Sequence, residues 1–187
     1  LEGDLKPDMA SLTLSSLNFN KQASINAPDM VMGLASIMKA KGIKPELEAF
    51  DLGMLNVIHY LAKKEIVEPP YYVNLILGNI ASAQADLLPI GVMVHSVPEH
   101  SLISLGAVGN DQLKANSLAI AMGYGVRVGL EDNFWFDPQR TQLATNLSLL
   151  ERIHTLIAAN QKQVMTSAEL RKHLHLKPGY GHYGKAD

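Results

Sequence analysis

The sequence predicts an α/β fold of parallel βα units: a (β/α)8 TIM barrel, of which this chain carries about strands 4–8 with their helices. Three observations predict it. Strand-like and helix-like stretches alternate five times over 187 residues with short connections, the pattern of parallel sheets. Each strand-like stretch has polar or small residues on one face: Ser11 and Thr13, Glu48, Asn74, Ser104 and Gly106, Arg127 and Glu131. A doubly wound sheet is covered by helices on both faces and should read apolar on both. No Gly-x-Gly-x-x-Gly fingerprint follows the first strand. A whole barrel takes about 200–250 residues or more, so roughly three units are expected upstream of Leu1. The chain opens Leu1-Glu2-Gly3-Asp4, without Met and close to its first strand, and is expected to be a fragment.

The elements follow from period and punctuation. Asp8–Leu14 alternates as a strand, with Ser11 and Thr13 opposite Ala10, Leu12 and Leu14. Ala27–Ala40 is a helix with Asn26 as N-cap and Gly42 past its end. Pro45–Asp51 is a strand with Glu46, Glu48 and Phe50 on one face, and Met54–Lys64 a helix. Tyr71–Leu77 is a strand holding Asn74 among apolar neighbours. Gln84–Val94 is helical in composition, with Pro89 bending or breaking it. Ser101–Leu105 is a strand running into Gly106 and Gly109. Asp111–Met122 is a helix capped by Asn110 or Asp111. Gly125–Leu130 is the last strand. Thr141–Ala159 is a long amphipathic helix and Ser167–His173 a short one, capped by Thr166 or Ser167. Residues 1–176 are expected to be the C-terminal part of one barrel domain. The Gly-, Tyr- and His-rich residues 177–187 are expected to be an arm or a disordered tail.

Composition narrows the function. A net charge of −2 gives no basic field for nucleic acid and no polybasic membrane patch. No apolar run reaches the ~20 residues of a membrane span. Cysteine is absent, so a metal would need His, Asp or Glu ligands. The absence is compatible with the expected cytoplasmic location.

The most informative segment is Val126-Arg127-Val128-Gly129-Leu130-Glu131-Asp132-Asn133. Read as a strand, it places Arg127, Gly129 and Glu131 on one face and Val126, Val128 and Leu130 on the other. Charges on an inward face must be paired or bound to a metal. Other readings stay open. Arg127 and Glu131 could be a structural ion pair, Glu131 and Asp132 a solvated strand end, and Ser11 and Thr13 barrel-layer residues with satisfied hydroxyls.

Three blocks together resemble the β-keto acid cleavage enzyme family: Lys6–Phe19 (KPDMASLTLSSLNF), Pro45–Asp51 (PELEAFD) and Val126–Asn133 (VRVGLEDN). The resemblance runs from Lys6 to about Leu176. It implies a (β/α)8 barrel that condenses a β-keto acid with acetyl-CoA and releases acetoacetate and a new acyl-CoA by a retro-Claisen step. It also implies a divalent metal, usually Zn²⁺, which polarises the β-keto carbonyl and is held by a His-x-His pair and a Glu. Carried over by position, Glu131 matches the metal ligand, Asp132 the catalytic carboxylate and Arg127 its partner. Glu48 matches an active-site Glu, with Glu46 the second choice. Ser11 and Thr13 match substrate-holding positions. The His-x-His pair has no counterpart on a strand and is expected upstream of Leu1; His173 and His175 have the spacing but lie at the C-terminal helix. Ser15 and Asn110 depart from the family's usual Gly and Arg. The expected partners are a small β-keto acid and a CoA thioester, with a homo-oligomer or association with the N-terminal part of the barrel. The competing readings are a CoA-independent metal-dependent aldolase or lyase on the same barrel, and an inactive fragment or structural subunit.

Overall fold

The computed structural model describes residues 6–176; the expected arm at 177–187 lies outside the described residues. The chain runs β1 (Met9–Thr13), β2 (Leu17–Asn18), β3 (Ala23–Ser24), α1 (Pro28–Lys41), β4 (Lys44–Ala49), α2 (Leu52–Lys63), β5 (Tyr71–Leu77), α3 (Leu87–Ser96), β6 (Ser101–Ala107), α4 (Asp111–Met122), β7 (Gly125–Val126), α5 (Asn146–Ala159) and α6 (Ser167–His173). Five strands form one sheet in the order β1-β4-β5-β6-β7, every neighbouring pair parallel, while β2 and β3 make a separate antiparallel hairpin. Each strand joins beside its predecessor in chain order. The reversal that defines a doubly wound sheet is not present in these five.

The period-two pattern sorts the sheet into two faces. Leu12, Leu47, Ala49, Val73, Leu75, Leu77, Leu105 and Ala107 are buried in one cluster with Val31, Ala35 and Met38 of α1, Met54, Ile58 and Leu61 of α2, and Ala115 and Ala119 of α4. Burial of each large aliphatic contributes about 1.5–3 kcal/mol. The opposite face is polar and in register. Ser11, Glu46, Tyr72 and Leu102 form one row; Thr13, Glu48, Asn74 and Ser104 form the next. Helices α1 and α4 end where Gly42 and Gly123 take φ of 68° and 81°, a left-handed conformation that costs glycine little.

Several element boundaries differ from expectation. The cap of α1 is Ala27, with no side-chain bond. Asn26 instead donates from Nδ2 to the Ser15 carbonyl and to Ser24 Oγ, and Pro28 starts the helix. Helix α3 begins at Leu87 rather than Gln84, because the Gln84 amide donates to the carbonyls of Asn79 and Ser82 in a turn. Pro89 then falls in the first turn, where a missing N–H breaks no helical bond. Helix α5 begins at Asn146 rather than Thr141, with a capping box between Thr145 and Ser148. Residues ahead of it are drawn into a bridge between Trp135 and Leu143 and into Asp137, which accepts from the backbone N–H of Thr141 and Gln142. The last strand is also shorter than expected: β7 ends at Val126, and a turn begins at Gly129.

At the end of the sheet where strands start, Arg171 of α6 donates to Asp8 just ahead of β1, 2.5 Å apart. Lys44, 2% exposed, is pushed down to about 8 by burial, an effect only partly offset by the charge of Glu68. The folded chain therefore binds fewer protons than the unfolded chain between about pH 8 and the ordinary lysine value of 10.5. Lys44 penalises folding fully below pH 8, and the penalty is relieved as pH rises through that window. Denaturant titrations should show stability rising from pH 8 to 10 by up to about 3 kcal/mol, and Lys44→Met should flatten the rise. An equal rise in the variant would assign it to another group.

Candidate active site

Arg127 sits one residue past β7, and its backbone N–H donates to the Leu105 carbonyl at 3.0 Å. Its carbonyl accepts from Asn116 Nδ2 at 2.8 Å, and the same amide donates to the Leu105 carbonyl at 3.1 Å. Gln112, one turn earlier on α4, donates to the Gly129 carbonyl at 3.0 Å. Asn146 accepts from Leu130 N–H at 3.0 Å, and the Asp132 carbonyl accepts from Gly109 N–H at 2.8 Å. Helix α4 and the first residue of α5 thus hold the segment that carries the charges.

The guanidinium serves three carboxylates. Nε donates to Asp132 Oδ2 at 3.0 Å, Nη2 to Glu131 Oε2 at 2.9 Å and Nη1 to Glu48 Oε1 at 3.3 Å. On a flat sheet, strand spacings of ~4.8 Å would put β4 roughly 14 Å from β7. The contact needs the arginine laid across the sheet. Gly106 makes room: a Cβ there would lie 2.9 Å from Arg127 Cβ and 3.1 Å from both Cγ and Cδ.

The turn from Gly129 to Asn133, with Asp132 and Asn133 N–H both directed at the Gly129 carbonyl, replaces the expected strand alternation. Arg127 and Glu131 meet because the chain turns back, not because they share a strand face. Adjacent acids consequently differ: the Glu131 side chain is 83% exposed and that of Asp132 only 7%. Burial pushes the Asp132 carboxyl up despite the hydrogen bond and charge of Arg127. Burial also raises Glu48, opposed by the Thr13 hydroxyl and reinforced by the charge of Glu46. Burial alone would lower Arg127, but the bond and charge of Asp132, then Glu131 and Glu48, outweigh it and hold the proton more tightly.

The remaining sequence-predicted residues lie on the same polar face. Thr13 Oγ1 donates to Glu48 Oε2 at 2.9 Å, and Ser11 Oγ to Glu46 Oε2 at 2.9 Å. Ser11 and Thr13 meet these glutamates directly, so neither is an isolated layer residue. Asn74 Nδ2 donates to the other Glu46 oxygen at 2.7 Å. Sequence reading missed the holding roles of Gln112 and Asn116. Both are fully buried, and two amides four apart on a helix face with Ala115 and Ala119 were the signal available for them.

The residues present do not by themselves fit a resident metal. Among the described residues no three His, Cys, Asp or Glu side chains are grouped to hold one. Glu131 and Asp132 each give an oxygen to Arg127. His59 bonds the Ser96 carbonyl in the helical layer, and His173 belongs to α6.

The pattern of a family described as "beta-keto acid cleavage enzyme" matches residues 1–176. The chain is 34% identical over 176 residues to a 3-keto-5-aminohexanoate cleavage enzyme of Fusobacterium nucleatum, covering 93% of this chain and 63% of that protein. It is 32% identical over 172 residues to a 3-dehydrocarnitine:acetyl-CoA trimethylamine transferase of Rhizobium meliloti, covering 91% and 57%. A 3-oxoadipate:acetyl-CoA acetyltransferase of Cupriavidus necator is 33% identical over 176 residues, covering 92% and 61%. The chain thus spans about three fifths of the length of these relatives. Its fold matches that of ObcA, solved as a ternary complex with a C4-CoA adduct and oxalate, with a TM-score of 0.74 at 20% identity, covering 91% of this chain and 46% of that one.

Two outcomes test the geometry. Gly106→Ala should displace Arg127 and cost about 1–3 kcal/mol, read as a lower denaturant midpoint and an altered Arg127 Nε resonance; an unchanged resonance would show that the stem does not need the space. Arg127→Met should cost about 3–5 kcal/mol at neutral pH by leaving Asp132 and Glu48 without their cation. Both carboxyls are raised in the fold, so they bind protons on acidification and the loss should shrink toward pH 5. A loss independent of pH would remove the electrostatic account.

Proposed function

The chain belongs to the beta-keto acid cleavage enzyme family, and from that premise we propose that it carries the acid–base half of an acetyl-CoA-dependent site that cleaves a β-keto acid. The carrying observation is the Arg127 fork, which joins Glu48 on the polar sheet face to Glu131 and Asp132 of the turn. The substrates are a small β-keto acid and acetyl-CoA, and the products acetoacetate and a new acyl-CoA. Asp132 is the general base. Burial raises its proton affinity, which suits removal of an α-proton near neutral pH, and Arg127 Nε fixes its orientation. Loss of that proton leaves a carbanion that attacks the acetyl thioester carbon; a carbon–carbon bond forms, the carbon–sulfur bond breaks and CoA leaves as its thiolate. The CoA thiolate then attacks the original keto carbon. The bond between that carbon and the α-carbon breaks, releasing acyl-CoA, and the proton held on Asp132 returns to the acetoacetate carbanion. Glu48, Ser11 and Thr13 position the substrate.

A divalent ion, Zn²⁺ by resemblance, belongs to the proposal with Glu131 as one donor. The described residues do not complete its shell, and no step above runs through it. The fold proposal is an arc equivalent to strands 4–8 of a (β/α)8 barrel, one domain over residues 1–176. It is supported by the sequential strand order, by the outer edge of β1 and by an apolar stripe on α1, where Met30, Leu34 and Ile37 are 49%, 46% and 54% exposed. Edges and stripes of this kind are normally covered. A preceding βα unit would cover both. Cytoplasmic location and homo-oligomerisation complete the reading.

Acetoacetate release from β-keto acids should require acetyl-CoA, whereas an aldolase or lyase on the same barrel would not need it. Asp132→Asn should cut turnover by about 10²–10⁴-fold with the fold retained. Near-normal turnover in that variant would end the role given to Asp132.

A further inference from the structure

Helix α3 is apolar on every side. Its ten residues, Leu87–Ser96, include no Lys, Arg, Asp or Glu. Ile90 and Met93 are buried, whereas Leu88, Gly91, Val92 and His95 are exposed at helical spacing on one outward face. A helix of this composition is normally enclosed. The sheet order does not enclose it: α3 follows β5, the middle of the five strands. Units joined at the outer edge of β1 or β7 would lie beside α1 or α5 instead. Gly91 adds a second sign. A Cβ there would meet nothing within 4 Å, so packing within this chain does not call for glycine inside the helix, where it is unfavourable. A bare backbone on an outward face serves the close approach of another backbone.

The two ends of α3 are unlike. At its start Leu87 and Leu88 stand 76% and 77% exposed. Beside them Asp86 shares Lys114 of α4 with Asp111, so this end carries an excess of acid. At the far end a groove of about 570 Å³ opens between α2 and α3, with Leu52, Leu55, Val97 and Pro98 in its lining. His59, His95 and Glu99 also line it. Knobs and groove thus sit at opposite ends of one helix, with Gly91 midway between Leu87 and His95. A twofold axis at Gly91, with two such helices antiparallel, seats the knobs of each copy in the groove of the other. The same rotation sets Asp86 against His59 and His95, and Lys114 against Glu99. Acid meets imidazole and cation meets acid, as complementary surfaces require. An unrelated partner would have to bring both halves, whereas a second copy already has them, which is the condition for an isologous contact.

We propose that α3 is the contact of a twofold dimer, in which Leu87 and Leu88 of each copy fill the groove of the other. The inference rests on the homo-oligomerisation proposed above and not on the reaction, because α3 packs on the sheet face opposite Glu48.

Sedimentation equilibrium of the purified chain tests it. The expected species is a dimer, and Leu88→Lys should raise its dissociation constant at least about tenfold with an unchanged circular dichroism spectrum. Lys114→Glu should weaken the dimer, and Glu99→Lys added to the same chain should restore it. Cysteine is absent, so Gly91→Cys introduces a lone thiol at the axis. A short bismaleimide should link Gly91→Cys chains in pairs and leave Ser36→Cys chains, with the thiol on the exposed side of α1, unlinked. A monomeric chain would leave α3 to another partner and overturn the interface. So would a dimer unmoved by Leu88→Lys, or equal linking at the two cysteines. If the dimer behaves as expected while no β-keto acid supports acetyl-CoA-dependent release of acetoacetate, the proposed reaction fails and the interface stands.

Discussion

One guanidinium is the meeting point of three ion pairs. Arg127 is the shared counter-charge for a residue on β4, a residue on an exposed turn and a residue buried beside it. Charges in a partly buried site are stabilised only when paired in good geometry. The glycine beneath the arginine stem and the amides of α4 that hold the backbone both serve that condition. The arginine is a tether between the last strand of the sheet and the second. It is also the reason that three acids can lie close together.

The strand register explains why the tether lands where it does. Parallel pairing puts Thr13, Glu48, Asn74 and Ser104 in one row and Ser11, Glu46 and Tyr72 in the row before it. A slip of one residue in any pair would turn its carboxylate into the helical layer and its leucine outward. The apolar face prevents this, because Leu47, Leu75 and Leu105 are fully buried against helices. Core packing therefore fixes the spacing of the acids before any polar contact is made. The hydroxyls of Ser11 and Thr13 then need only to cross to the neighbouring strand.

Much of this was legible in the residues. Alternation marked the five strands, and the apolar stripes marked the helices. The polar face was visible in Ser11, Thr13, Glu48 and Asn74 because each interrupts an apolar run. What could not be read depended on where backbone hydrogen bonds go. The start of α3 is decided by the Gln84 amide serving two turn carbonyls, and the start of α5 by a bridge between Trp135 and Leu143. The hairpin of β2 and β3 is two residues on each side, too short for a period to show. Asn26 has the composition of a cap, yet its side chain satisfies the hairpin instead.

The largest departure also carries the most chemical meaning. Had the chain continued as a strand through Glu131, alternation would have turned Asp132 toward the helices and away from the arginine. The turn at Gly129 instead lets both acids reach the same guanidinium by different nitrogens. Glu131 stays in water, while Asp132 is enclosed, and its proton affinity rises. Two neighbouring carboxylates with nearly equal intrinsic acidity thereby become unlike groups. One is suited to meeting a cation from solvent and the other to holding a proton in a drier place. Sequence adjacency conceals that difference, because it is made by the path of five backbone residues and not by the identity of either side chain.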